Sequence, residues 1–224
     1  LAGKIAASEV KGCQDGGLMV FIKHFAVNEQ ETNRKSSFEF CNEQAIREIY
    51  LTPFEMAVKD GGARGVMSAF NRLGTTWSGA NTSLLTGILR NEWGFRGCVV
   101  TDYAEKEFQD GPQGIRAAND LWLSGLSPAA DLKSDLKTNP KTAAYYLRQA
   151  AHNICYMVGN SEIAMNGLSS TTTFSEEVSG SEIAQKIITV VCVVYFVLLA
   201  VFVAIIVLRK RRRAVISVEE DKTK

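Results

Sequence analysis

Apolar residues fall along this chain in three patterns. Four compact runs, Leu18 to Ile22 (LMVFI), Gly65 to Phe70 (GVMSAF), Cys98 to Thr101 (CVVT) and Leu121 to Leu123 (LWL), are bounded by Gly, Asp or Asn. Such runs predict short strands buried on both faces. Between them the apolar positions recur at helical spacing. Thr52-Pro53-Phe54-Glu55 has the form of a capping box with proline at the first helical position, and Phe54, Ala57 and Val58 follow before Gly61-Gly62. A second helix starts near Asn81 or Thr82, carries Leu84, Leu85, Ile88 and Leu89 on one face, and stops at Gly94. A third, Lys141 to Val158, presents Ala144, Leu147, Ala151, Ile154 and Tyr156 to Val158 as its inward face.

The third pattern is unbroken. From Ile187 to Leu208 there are 22 residues without a charge, a helix of roughly 33 Å at about 1.5 Å per residue, which is enough for a bilayer core. Arg209-Lys210-Arg211-Arg212-Arg213 follows at once, and such an excess is retained on the cytoplasmic side, where anionic lipid also attracts it. The preceding residues are therefore expected outside the cell. Gly167 to Gly180 (GLSSTTTFSEEVSG) offers few apolar residues to bury and reads as a stalk. The expected divisions are residues 1–160, globular; 161–186, stalk; 187–208, transmembrane helix; and 209–224, basic tail.

Composition sharpens this partition. Of 224 residues 46% are hydrophobic and 22% charged, which excludes a wholly disordered or collagen-like chain. The formal charge of +1 conceals an uneven distribution. Residues 209–224 hold seven Lys/Arg against three Asp/Glu, leaving 18 basic against 21 acidic side chains in the rest. Cys13, Cys41, Cys98 and Cys155 show no CxxC spacing, so no metal site is expected, and Cys98 and Cys155 read as buried free thiols.

Alternating strands and helices imply βαβ units and a parallel sheet. About four units fit, whereas a closed barrel of eight takes about 250 residues, so the globular part is an open α/β sheet or part of a barrel. In such architectures the working residues gather at the carboxyl ends of the strands. Here LMVFI runs into Lys23-His24, GVMSAF into Asn71-Arg72, and CVVT into Asp102-Tyr103. A carboxylate directly after an apolar strand needs a partner against desolvation, which favours Asp102 as a site residue, although a strand-end Asp also serves as a helix cap.

Five segments in order carry a resemblance. They are Lys23-His24-Phe25-Ala26-Val27-Asn28-Glu29-Gln30-Glu31-Thr32-Asn33-Arg34; Arg47 to Glu55 (REIYLTPFE); Val66 to Asn71 (VMSAFN); Leu89 to Gly97 (LRNEWGFRG); and Val99-Val100-Thr101-Asp102-Tyr103. Together they resemble glycoside hydrolase family 3, in its β-glucosidase branch. The resemblance implies an α/β fold made of the second half of a (β/α)8 TIM-type barrel, here followed by a stalk and one transmembrane helix.

It also implies that Asp102 is the nucleophile of a retaining glycosidase acting on terminal β-D-glucosyl residues, and that Lys23 and His24 hydrogen-bond sugar hydroxyls. Phe70 stands where the family commonly has a tyrosine beside the nucleophile, and Tyr103 would form part of the sugar platform. Asn33 and Arg34 either shape the pocket or serve the loop. The absence of histidine from Asn28 to Arg34 argues against the branch that cleaves N-acetylglucosamine. Glu105 and Glu107 follow the nucleophile too closely to face it across a bond at about 5–5.5 Å and read as solvated acids. No cofactor is required. The expected partners are a β-glucoside or oligosaccharide, membrane lipid around residues 187–208, and a missing barrel half and acid/base domain, upstream or from another chain; nucleic acid is not expected. The chain is thus expected to be the C-terminal fragment of a longer enzyme. Its alternatives are an inactive, membrane-anchored carbohydrate-binding or interaction module and a purely structural membrane-anchor segment.

Overall fold

The computed structural model describes residues 1–103, 109–123, 129–167 and 180–222, in two units, Leu1–Thr172 and Thr173–Lys224. The first unit opens with α1 (Ala2–Asp15), which a turn at Gly16-Gly17 ends, Gly17 having φ +89°. Strand β1 (Phe21–Phe25) follows, three residues later than the apolar run predicts. Leu18 and Met19 are exposed, and pairing begins at Phe21, opposite Gly65. Lys23 and His24 therefore belong to the strand rather than to the loop after it.

After β2 (Phe38–Glu39), a continuous helical stretch runs through α2 (Glu43–Ala45), a wider π-type segment (Ile46–Leu51) and α3 (Thr52–Lys59). The capping box expected at Thr52 is not what starts it. Asn42 is the cap, its side chain accepting from Ala45 N at 2.7 Å, whereas Thr52 Oγ1 turns back to the carbonyls of Arg47 and Glu48, at 2.9 Å each. Pro53 lacks the N–H that would continue the ladder, and the widened segment lies directly before it.

Next come β3 (Gly65–Ser68), the hairpin β4 (Arg72–Leu73) and β5 (Thr76–Trp77), a helix at Ser83–Glu92, and β6 (Cys98–Tyr103). Asn81 caps the Ser83–Glu92 helix as expected, accepting from Leu84 N at 3.1 Å, and Gly94 with φ +73° follows its end. The unit continues with α4 (Gly111–Arg116), β7 (Leu121–Leu123), α5 (Ala129–Thr138) and α6 (Pro140–Gly159). The buried residues of α6 are Ala143, Ala150 and Met157; of the expected face Met157 is buried and Leu147, Ile154 and Tyr156 are half-buried, while Ala144, Ala151 and Val158 are exposed. Cys98 is buried and its thiol is pushed up to about 12 by burial, while Cys155 is exposed, contrary to expectation.

Strands β1, β3, β6 and β7 form one parallel sheet in that order, and β2, β4 and β5 a smaller one. The main sheet and its helices enclose a core containing Phe25, Leu51, Val66, Leu84, Leu85, Leu89, Trp93 and Val99. Phe25 meets Phe54 and Trp93 edge-on, with ring centroids 5.1 and 5.8 Å apart. Arg47 ties two helices by a paired contact to Glu92 (2.7 and 3.1 Å) and a third to Glu43 (2.9 Å). Among the described residues β1 pairs only with β3, and β7 only with β6. Leu121 and Leu123 are thus exposed on an edge strand rather than covered on both sides.

The second unit contains α7 (Gly180–Lys222), within which Ile183–Ile206 is long and apolar enough to cross a membrane. Of the stalk expected over 161–186, residues 168–179 lie outside the described residues, while Ile163–Gly167 forms a short helical turn and 180–186 belong to α7.

A Cβ at Gly97 would overlap the carbonyl oxygen of Arg64, where β6 begins beside β3. Gly97→Ala is expected to cost at least about 2 kcal/mol through overpacking against backbone. Urea denaturation will show this as a lower midpoint at unchanged slope.

Candidate functional site

The carboxyl ends of β1 and β6 bring two of the candidate residues together. His24 Nε2 stands 3.2 Å from Asp102 Oδ2, with their side chains 23% and 16% exposed. The pair is within ion-pair reach but off the line of a hydrogen bond, so Asp102 Oδ2 is buried with no donor aligned on it among the described residues. The other oxygen, Oδ1, accepts from Tyr103 N at 2.7 Å, which fixes the rotation of the carboxylate. One oxygen is held by backbone while its twin is buried beside His24.

His24 is half-buried, and burial pushes its imidazole below the ordinary value; Asp102 opposes that shift, Lys23 and Arg34 add to it, and Glu31 opposes it. The uncharged imidazole is therefore favoured near neutral pH. Lys23 is exposed and lines a cavity of about 330 Å³ with α1 residues Ala6, Glu9, Val10 and Cys13 and with Phe54 of α3. The Lys23–His24 and Phe25–Ala26 peptide bonds are cis.

Phe70 is 2% exposed, and the Arg34 guanidinium lies over its ring at 4.8 Å from the centroid, with Lys35 Nζ at 5.9 Å. The ring supports Arg34 from below, as a cation held on an aromatic face. Arg34 also pairs with Glu31 at 3.3 Å. Asn33, by contrast, makes the turn: its φ is +56°, and its carbonyl accepts from Ser36 N at 2.8 Å. Asn33 thus serves the loop, while Arg34 makes a local salt bridge to Glu31 and also lies over Phe70.

Asn71 is fully buried and braces the β3 exit. Its Nδ2 donates to Ala26 O at 3.1 Å, and its own carbonyl accepts from Ser78 N and Oγ at 3.0 and 2.9 Å. Trp77 Nε1 donates to Ala69 O at 2.9 Å, and Asn119 Nδ2 to Ser68 Oγ at 3.0 Å. Tyr103 is 56% exposed beside Asp102. Glu105 and Glu107 lie outside the described residues. Among the described residues, no three His, Cys, Asp or Glu side chains converge to hold a metal ion.

Asp120 went unnoticed in the sequence. It is buried immediately before β7 and paired with Arg90 at 2.6 Å. The signal was available: a carboxylate bordering an apolar strand needs a partner whether it follows the strand, as Asp102 does, or precedes it.

Comparison with known proteins places this geometry. The model of the glycosyl hydrolase family 3 N terminal domain matches residues 1–118. Beta-glucosidase B of Emericella nidulans is 48% identical over 103 residues, covering 46% of this chain and 12% of that protein. A beta-glucosidase of Ruminococcus albus is 33% identical over 175 residues, covering 73% of this chain and 18% of its own length. The chain therefore spans less than a fifth of either relative. Among solved structures, beta-glucosidase 3B from Thermotoga neapolitana in complex with alpha-D-glucose is similar with a TM-score of 0.67 and 35% identity, covering 74% of this chain and 24% of that one. A beta-glucosidase from Paenibacillus barengoltzii also gives 0.67, at 31% identity, covering 78% of this chain and 20% of that one.

Because the folded-state value of His24 is depressed, protonation favours the unfolded chain. Its contribution to stability is intact above about pH 6.5, the unperturbed value, and is lost as pH falls from there through the lower folded value. Thermal unfolding followed against pH is expected to show this loss in the wild type and not in His24→Gln.

Proposed function

The chain belongs to glycosyl hydrolase family 3, and from that premise we propose that it supplies the nucleophile-bearing part of a retaining β-glycosidase of the β-glucosidase kind, acting on terminal β-D-glucosyl residues. The observation that carries this reading is the Asp102 carboxylate, one oxygen fixed by Tyr103 N–H and the other buried without an aligned donor, 3.2 Å from His24. An ionised carboxylate held in that way attacks the anomeric carbon through its unengaged oxygen. The C1–O bond to the leaving group breaks as the Asp102–C1 ester bond forms, and water later reverses the substitution.

His24 and Lys23 donate to sugar hydroxyls, bonds that strengthen as the ring gains oxocarbenium character. Arg34, propped on Phe70, adds a third donor, and Tyr103 offers an aromatic edge to the sugar. The general acid/base and the remaining strands of the barrel come from residues outside this sequence. The apolar stretch Ile183–Ile206 anchors the protein in a membrane, with the catalytic part on the extracellular side and the basic tail in the cytoplasm; lipid around that helix is its second partner.

A 2-fluoro glucoside with a dinitrophenyl leaving group tests the first step, because such a leaving group departs without an acid to protonate it. Peptide mass mapping is expected to find the label on Asp102 and none in Asp102→Ala. Label elsewhere, or none with sugar still bound, would instead support a carbohydrate-binding module. Lys23→Ala should slow labelling by about 10- to 100-fold, the worth of a charge-assisted hydrogen bond of about 1.5–3 kcal/mol, and His24→Ala, which removes an uncharged donor, by about 2- to 10-fold, the worth of a neutral one of about 0.5–1.5 kcal/mol.

Topology is tested separately. Protease added to intact cells is expected to remove residues before Ile187, and protection of that region would reverse the orientation.

A further inference from the structure

Asp120 makes four hydrogen bonds to three neighbours. Its backbone N–H donates to Val99 O at 2.8 Å, and its Oδ2 accepts from Val99 N at 2.8 Å, so a single residue engages both backbone groups of Val99. The same Oδ2 accepts from Arg90 Nη2 at 2.6 Å, and Oδ1 accepts from Asn153 Nδ2 at 2.9 Å. Arg90 in turn reaches Gly97 O at 3.0 Å and Ala118 O at 3.1 Å, on the two segments that lead into β6 and β7. The cluster joins β6 to the Ser83–Glu92 helix, to α6 and to the start of β7, and the Asp120 side chain is 1% exposed.

This arrangement reinforces an irregular strand pairing. On its β3 side, β6 has a regular ladder, Gly65↔Cys98 through Ser68↔Thr101. On its β7 side the register shifts between Val100 and Tyr103, and side chains take over: Asp120 at Val99, and Thr101 Oγ1 accepting from Leu123 N at 3.0 Å. Val99 lies three residues before Asp102, about 10 Å along a strand. A displacement of the strand base is carried to its tip, because the segment between is fully buried and cannot flex independently.

We propose that Asp120 is a positioning residue for Asp102: by clamping Val99 through both its backbone groups, it fixes the height and twist of β6 and so holds the Asp102 carboxylate against His24. This rests on the reading of Asp102 as the reacting group, but it is a statement about geometry and is tested without turnover. Failure of covalent labelling would count against the nucleophile, whereas the measurement below counts only for or against the clamp.

The chain has two histidines, so the imidazole C–H signal of His24 can be followed against pH in the full chain in detergent micelles, with exposed His152 as internal reference. Lys23, Arg34, Glu31 and Asp102 all act on His24, and the effect of Asp102 is isolated by comparing each protein with its Asp102→Asn counterpart. In the wild type, removing that charge is expected to lower the His24 midpoint measurably, because the Asp102 charge raises it. In Arg90→Leu/Asp120→Leu, which removes both charges together and strands neither, the shift is expected to fall below half of its wild-type size. Asp120→Asn, which keeps a neutral and weaker acceptor for Val99, is expected to give an intermediate shift.

A wild-type shift in the folded leucine pair overturns the proposal. Where circular dichroism shows that the pair does not fold, Asp120→Asn decides, and a shift there equal to the wild type overturns it. A role in stability alone would lower the melting temperature of these variants and leave the His24 shift unchanged.

Discussion

A carboxylate taken out of water must be compensated, and β6 carries such a group at its tip and meets another at its base. At the base, burial pushes the Asp120 carboxyl up, and Arg90, the Val99 N–H and Asn153 pull it back. Both of its oxygens have donors there, although its value stays above the ordinary one. At the tip, Asp102 has one oxygen satisfied by the next backbone amide and one facing, among the described residues, an imidazole that burial keeps neutral. The same strand therefore joins an acid held through both oxygens to one held through a single oxygen. The rest of the globular unit can be understood as the framework that keeps that inequality in place.

The framework is built from local constraints that agree with one another. Gly97 lets β6 start against the Arg64 carbonyl, and the Phe25, Phe54 and Trp93 rings fill the space between β1 and the two helices behind it. The β3 exit is braced by Asn71 and Trp77, so that Phe70 enters the interior and presents its face to Arg34. Each of these residues limits where its neighbours are able to stand.

Much of this was legible in the sequence because its signals are local. Runs such as CVVT and LWL mark strands through β-branched or apolar content, and Asn81 marks a helix start through its side-chain acceptor. The ordered motifs from Lys23 to Tyr103 pointed to the family and to Asp102. What escaped depends on contacts between distant residues. The capping box at Thr52 looked complete, but Asn42, ten residues earlier, had already started the helix, and a threonine inside a helix can bond backward instead. The inward face of α6 is set by what packs against it, and a helix of small apolar residues admits either phase. Arg34 stood open between pocket and loop, and Asp120 was an ordinary charge, until folding placed a ring under one and a strand amide beside the other.

The main sheet keeps chain order, with each strand beside its predecessor in the sheet. Its pairings therefore form from the most local contacts a parallel sheet allows, and helix crossovers of modest length close each loop before the next is attempted. Growth is by accretion: a unit added at the margin of β1 or of β7 breaks no pair already made. An architecture of this kind can be lengthened, divided or joined at its margins while its middle strands, and the acids that bracket β6, keep the neighbours they have.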